Sequence, residues 1–256
     1  MQQYSSLAEF YDGLNFGCDY DSLADFISGA IKENERTKTS LVLDLACGTG
    51  KLTFMLRERG YDMTGVDISE NMLACAHKYA FDNGIDDVLL LCQDMRELEL
   101  YGTVGATLCC LDSLNYLTED GDLERVFSLV HNYSDPDALF LFDVNSEFKF
   151  ENIYADNSYI LEDENDDGGA IFCGWQNSYD AKSRICSFYL SVFEEGDNGE
   201  YYRADEEQRE RFYSVEEIRT ALEKTGFELL DVFADTDFSS VSERSERLYF
   251  VTRVKK

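Results

Sequence analysis

The sequence predicts an α/β protein: a parallel sheet with helices on both faces, broken after its fifth strand by an antiparallel β insertion. Three observations predict it. Residues 41–145 alternate short apolar runs with amphipathic stretches that carry helix start and stop signals. From about Phe148 to Phe212 that alternation gives way to period-2 patterning with no long amphipathic helix. Helical patterning returns at Ser214 and is followed by two more apolar runs.

Taken in order, Leu23, Phe26 and Ile27 predict a helix packing on the sheet, with Tyr11, Asp12 and Tyr20 ahead of it. Leu41–Ala46, Asp62–Val66, Val88–Cys92, Ala106–Leu111 and Ala138–Val144 read as strands. Between them, Lys51–Arg59 reads as a helix stopped by Gly60. Ser69 opens a helix whose Met72, Leu73, Ala76, Tyr79 and Ala80 share one face, and it closes at Gly84. Thr118 is placed to cap a third helix carrying Leu123, Val126, Phe127 and Val130, and Pro136 reads as a turn before the fifth strand. In the insertion, Ile171–Tyr179, Ile185–Phe193 and Tyr201–Phe212 read as antiparallel strands, and Asp163–Gly169 as a polar loop. Ser214 and Glu217 have the spacing of a capping box for a helix ending at Gly226. Phe227–Phe233 and Leu248–Val254 read as the last strands. The expected division is residues 1–146 with 213–256 (the arm being 1–40), and an insertion over 147–212.

Asp and Glu outnumber Lys and Arg by 52 to 22, a net charge of -30, which disfavours nucleic acid and anionic membranes as partners. No apolar run approaches the ~18–20 residues that span a bilayer, and the N-terminus lacks a signal-peptide pattern. A cytoplasmic protein is expected. Eight cysteines form no C-x-x-C pair, and His77 and His131 are the only imidazoles, so no metal is expected. Cys92, Cys109, Cys110 and Cys186 fall in apolar strand runs and read as buried small hydrophobes.

The stretch LVLDLACGTGKL, Leu41–Leu52, ends a strand in an acid and turns on two glycines. A Walker loop fails because Gly50-Lys51 is followed by Leu52, and Leu45 stands where the first glycine belongs. A dinucleotide loop would need a third glycine where Thr53 stands, and Asp44 would face its pyrophosphate with the wrong sign. A phosphate-free, cationic nucleoside fits better: S-adenosylmethionine. Glycine lets the backbone approach such a ligand. Asp44 can accept from its ammonium, Asp67 from both ribose hydroxyls, and Asp94 from the adenine amino group while Met95 packs on the ring. Read singly, each acid also has a local use as a cap or a surface charge.

On these residues the chain resembles the class I S-adenosylmethionine-dependent methyltransferases. VLDLACGTG (Val42–Gly50) is similar to their first motif, GVDIS (Gly65–Ser69) to their second-strand acidic motif, and CQDMREL (Cys92–Leu98) to their adenine-binding segment. The resemblance implies a seven-stranded Rossmann-like sheet with an antiparallel last strand. It also implies a cofactor shell of Tyr11, Asp44, Ala46, Cys47, Gly48, Thr49, Gly50, Asp67, Ile68, Met72, Asp94, Met95, Leu111 and Asp112. The arm resembles the lead-in of small-molecule members, aminosugar N-methyltransferases among them. So does the insertion, which in those members roofs the acceptor pocket.

The expected activity is methyl transfer to nitrogen or oxygen of a small molecule. Asn115 and Tyr116, after the fourth strand, are positioning candidates, because an in-line displacement depends on alignment. The general base stays unassigned. Trp175, Tyr189, Arg211 and Tyr213 are candidates for substrate contact. Two other readings remain: a non-catalytic cofactor-binding module, and an NAD-dependent oxidoreductase, which Asp44 and Thr53 disfavour.

Overall fold

The computed structural model describes residues 18–164, 169–196 and 198–256. Helix α1 (Tyr20–Asn34) starts where the Asp19 carboxylate accepts the Ser22 N–H at 3.0 Å, and it buries Leu23, Phe26, Ile27 and Ile31. The core then follows as β1 (Leu41–Leu45), α2 (Lys51–Glu58), β2 (Asp62–Asp67), α3 (Glu70–Asp82), β3 (Leu89–Cys92), β4 (Val104–Cys109), α4 (Asp122–Asn132) and β5 (Ser134–Asn145). The insertion supplies β6 (Ser158–Glu164), β7 (Ala170–Asp180), β8 (Ile185–Glu195) and β9 (Tyr201–Arg211). Helix α5 (Val215–Thr225), β10 (Phe227–Phe233) and β11 (Arg247–Val254) complete the chain.

The main sheet has seven strands in the order β10-β11-β5-β4-β1-β2-β3. β1 pairs in parallel with both β2 and β4, so strand addition reverses direction there and leaves a crevice at the carboxyl ends of β1 and β4. β11 runs antiparallel to β5 and β10. Its first residue, Arg247, therefore arrives at the same edge as the last residues of the parallel strands, opposite Asn145.

Both faces of the sheet are packed. Phe127 of α4 lies against Phe140, Phe142 and Phe227, and Phe142 stacks on Phe250 with centroids 4.9 Å apart. These five rings are at most 2% exposed, and burying each contributes roughly 1.5–3 kcal/mol. On the other face α1 and α2 cover Val42, Ala106, Leu108, Leu139 and Leu141. The second sheet, β6-β7-β8-β9, is antiparallel throughout. Its inner face (Ile171, Cys173, Phe188, Leu190 and Val192) packs on Phe150, Tyr154 and Phe212.

Several boundaries differ from the sequence reading. Strand β6 is an addition: Ser158–Glu164 shows no period-2 pattern, since Tyr159, Ile160 and Leu161 are followed by three acids, and it pairs with β7 through its backbone. Glu164 ends that strand, so the stretch read as a loop from Asp163 begins within it. Helix α4 is capped by Gly121 in the left-handed region, not by Thr118. Pro136 lies inside β5, at a bulge in the β4–β5 pairing next to Asp137 (φ 62°), where a missing N–H does least harm. Cys92 is exposed, because β3 is the edge strand; Cys109, Cys110 and Cys186 are buried as expected. Among the described residues no helix is long and apolar enough to cross a membrane, and no three His, Cys, Asp or Glu side chains converge to hold a metal.

Candidate active site

The crest of the sheet gathers the motif acids. Asp44 is the fourth residue of β1, 2% exposed, and accepts the Thr53 hydroxyl at 2.5 Å. Burial pushes its carboxyl up to about 6, against the pull of that hydrogen bond and with the help of nearby Asp67. The chain then turns through Ala46 (φ 63°), Gly48 (φ 56°) and Gly50 (φ 78°). A Cβ on Gly48 would meet nothing within 4 Å, so the backbone there faces open space. Asp67 ends β2 and is 8% exposed. Its two oxygens each accept one backbone N–H at 2.8 Å, from Gly48 and from Ser69. Those bonds fix the carboxylate plane and leave one lone pair on each oxygen, a geometry suited to a vicinal diol.

A shallow cleft opens at the switch point. It is lined from the β1 side by Asp44 and residues 46–49, from the β4 side by Cys110, Leu111 and Ser113, and by Tyr20 and Lys51. The Lys51 ammonium sits 4.4 Å from the Tyr20 ring centroid. It is the one cation among the described lining residues and was not anticipated from the sequence. Asp44 argues against a phosphate in this cleft: an anion beside a carboxylate already held near 6 by burial would be repelled.

Residues 42–137 match the family model described as a methyltransferase domain. A solved structure of an S-adenosylmethionine-dependent methyltransferase from Clostridium acetobutylicum is 31% identical, covers 99% of both chains, and superposes with a TM-score of 0.87. YqeM of Bacillus subtilis (strain 168), provisionally named a methyltransferase, is 35% identical over 99% of this chain and 98% of its own.

The chain belongs to the class I S-adenosylmethionine-dependent methyltransferases. DesVI of Streptomyces venezuelae, at 18% identity and a TM-score of 0.79, shares the fold over 97% of this chain.

The cofactor of this methyltransferase is S-adenosylmethionine, and the crest fits it: a buried acid for a cation, an oriented acid for a ribose, and an open glycine turn between them. The expected residues do not all stand alike. Ile68 is 46% exposed at the crest, whereas Met72 is 2% exposed and belongs to the core. Met95 is partly buried. Asp94 is engaged by Arg96, whose guanidinium approaches to 2.6 Å and whose N–H donates at 2.8 Å. Burial alone would raise the Asp94 carboxyl, but Arg96 outweighs it and holds it below the usual range. Tyr11 lies outside the described residues.

Beyond the β4 end, Asn115 is fully buried. Its amide donates to the Arg211 carbonyl at 2.8 Å and accepts the Asn145 N–H at 2.9 Å, so it ties β5 to β9. The Tyr116 hydroxyl donates to Gln208 at 2.9 Å. Trp175 packs on Phe188 inside the insertion, whereas Tyr189 is 46% exposed because its neighbours Phe188 and Leu190 take the inner face. Arg211 pairs with Asp120 at 2.7 Å, and with Tyr213 it lines a separate cavity between α4 and α5 that shares no lining residue with the crest cleft.

The sequence reading missed a buried polar group behind the β4 end. Asp143 of β5 is 0% exposed and accepts the Leu111 and Asp112 N–H groups at 2.7 and 2.8 Å. Arg247 bridges Asp143 and Asp112, reaching the latter at 2.5 Å. Lys149 donates to Asn145 at 3.0 Å, and Asn145 donates to Glu210 at 2.9 Å. Burial presses the Lys149 ammonium down and the Glu210 carboxyl up. One signal was available: an acid inside LFLFDVN, a run buried on both faces, demands a cationic partner.

Proposed function

We propose that the protein transfers a methyl group to nitrogen or oxygen of a small molecule held between the crest and the insertion. The observation that carries this reading is the docking of β9 over the end of β4. Three side-chain bonds, Asn115 to Arg211, Tyr116 to Gln208 and Asn145 to Glu210, seat the second sheet beside the cleft. A roof at that place favours a compact acceptor over a polymer. Residues 147–212 act in this reading as a substrate cap on the domain formed by 1–146 and 213–256. A relative from Streptomyces venezuelae, 31% identical over about half of each chain, is named as an N,N-dimethyltransferase of a dTDP-linked amino sugar. That name supports an amine acceptor here.

In this reading Asp44 and Lys51 hold the ammonium and carboxylate of the cofactor's amino acid end. Asp67 accepts both ribose hydroxyls, and Ile68 and Met95 flank the base. When bound, the cofactor supplies a methyl group on a positively charged sulfur. The protein's part is alignment, because in-line transfer is governed by approach and angle, and orientation contributes up to ~7–11 kcal/mol. An amine that enters neutral needs no base during transfer. Parallel calorimetric titrations with S-adenosylmethionine, S-adenosylhomocysteine and NAD, followed by a panel of small amines and alcohols with product methylation read by mass, test the proposal. Methylated product from a compact acceptor is the expected result. Cofactor binding with no turnover across the panel would favour a non-catalytic module.

A further inference from the structure

We propose that Arg247 and Asp143 are positioning residues for cofactor binding, holding the left-handed Leu111–Asp112 turn that walls the cofactor cleft. The inference rests on the reading that the crevice between β1 and β4 takes the cofactor.

Leu111 (φ 57°) and Asp112 (φ 54°) are consecutive non-glycine residues in a region that L side chains avoid. Such a turn persists where its surroundings over-determine it. Here they do. Both turn N–H groups donate to the two oxygens of Asp143, one to each, at 2.7 and 2.8 Å. Arg247 then binds that carboxylate with one nitrogen and the Asp112 side chain with the other. One guanidinium thus grips the turn twice: through its own side chain, and through the acid that holds its backbone. The grip depends on topology, since only an antiparallel last strand delivers the start of β11 to the carboxyl end of β4. It faces the cofactor site as well, because Cys110, Leu111 and Ser113 line the same cleft as Asp44 and Gly48. Simple charge neutralisation would be met by any cation, whereas a two-pronged hold requires the planar fork of arginine.

A thermodynamic cycle read by calorimetric titration with S-adenosylhomocysteine separates the two roles. Arg247→Lys keeps the charge and loses the fork. It is expected to weaken binding about tenfold in the natural background and only about threefold in a Leu111→Gly background, since glycine takes φ near 57° without being held and Asp112 alone still depends on the grip. A merely structural arginine would weaken both backgrounds alike, and that equal loss, or no loss in the natural background, overturns the proposal. If Arg247→Lys does not fold, as judged by circular dichroism, Asp143→Asn replaces it in the same cycle with the same expected and contrary results. Failure of the underlying cofactor reading shows itself differently, as no binding by the unsubstituted chain.

Discussion

Thr53 donates its hydroxyl to Asp44 at 2.5 Å, across nine residues of chain, and this is the side-chain hydrogen bond that helps keep the buried acid ionised. The folded carboxyl titrates near 6 against an ordinary 3.8, so between those values the folded state binds the extra proton. Stability therefore falls as pH rises through about 4 to 6, by up to about 3 kcal/mol in all, since each pH unit crossed costs roughly 1.4 kcal/mol. An acid kept at that cost points to function. Asp44→Asn is expected to raise the melting temperature at pH 7 by several degrees, corresponding to roughly 1–3 kcal/mol, and to abolish detectable S-adenosylmethionine binding. Differential scanning fluorimetry with and without cofactor checks both; a destabilised variant that still binds would contradict the assignment.

The same titration predicts how binding depends on pH. A ligand ammonium favours the ionised acid, so affinity for S-adenosylhomocysteine should rise from pH 5 to pH 7 by roughly tenfold in all, about fivefold of it over the lower unit, and level off above that. Calorimetry in matched buffers measures this. In Asp67→Asn, which leaves Asp44 in place, the dependence should persist at lower overall affinity.

The two turn glycines should separate stability from binding. A Cβ on Gly50 would stand 2.8 Å from a Phe54 ring carbon and 3.3 Å from the Ala76 Cβ, at φ 78°. Gly50→Ala is expected to lose about 2–3 kcal/mol of stability, from overpacking added to left-handed strain. Gly48→Ala meets no atom within 4 Å, so its stability loss should be only about 1 kcal/mol, and its main effect should be at least tenfold weaker cofactor binding. Urea unfolding and calorimetry on both variants decide the matter.

Most of the main sheet was legible in the sequence because its signals are local. Buried parallel strands read as apolar runs, and Ser69, Ser214 with Glu217, and Gly226 mark helix ends within a turn of where they act. The three acids at successive strand ends were legible for the same reason. What escaped was non-local. Asp143 and Arg247 are 104 residues apart, and Asn115 meets Arg211 across 96, so neither spacing carries a pattern. Thr118 was a reasonable cap by composition, but Gly121 supplies the left-handed entry that α4 uses. Strand β6 was hidden because an edge strand without alternation, ending in three acids, resembles a loop until its partner β7 is known.

The insertion is fastened to α5 through Arg184, which donates to Glu217 at 2.6 and 2.7 Å while Glu217 completes the capping box with Ser214. Hydrogen bonding to Arg184 holds the Glu217 carboxyl down at about 2, so its contribution is present above about 4.5 and is lost as pH falls from there towards 2. About a third of each side chain is exposed, and screening reduces the pair to about 1 kcal/mol. Glu217→Gln should lower the melting temperature by about 2–4 °C at pH 7 and by much less near pH 2.5; equal losses at both pH values would assign the effect to packing.

The central claim is that Asp67, fixed by the Gly48 and Ser69 N–H groups, takes the ribose of S-adenosylmethionine. Calorimetric titration of folded Asp67→Ala with S-adenosylhomocysteine tests it most directly. At least a tenfold loss of affinity relative to the unsubstituted protein is predicted, since two charge-assisted hydrogen bonds are removed. Unchanged affinity in a variant with an unaltered melting profile would contradict it.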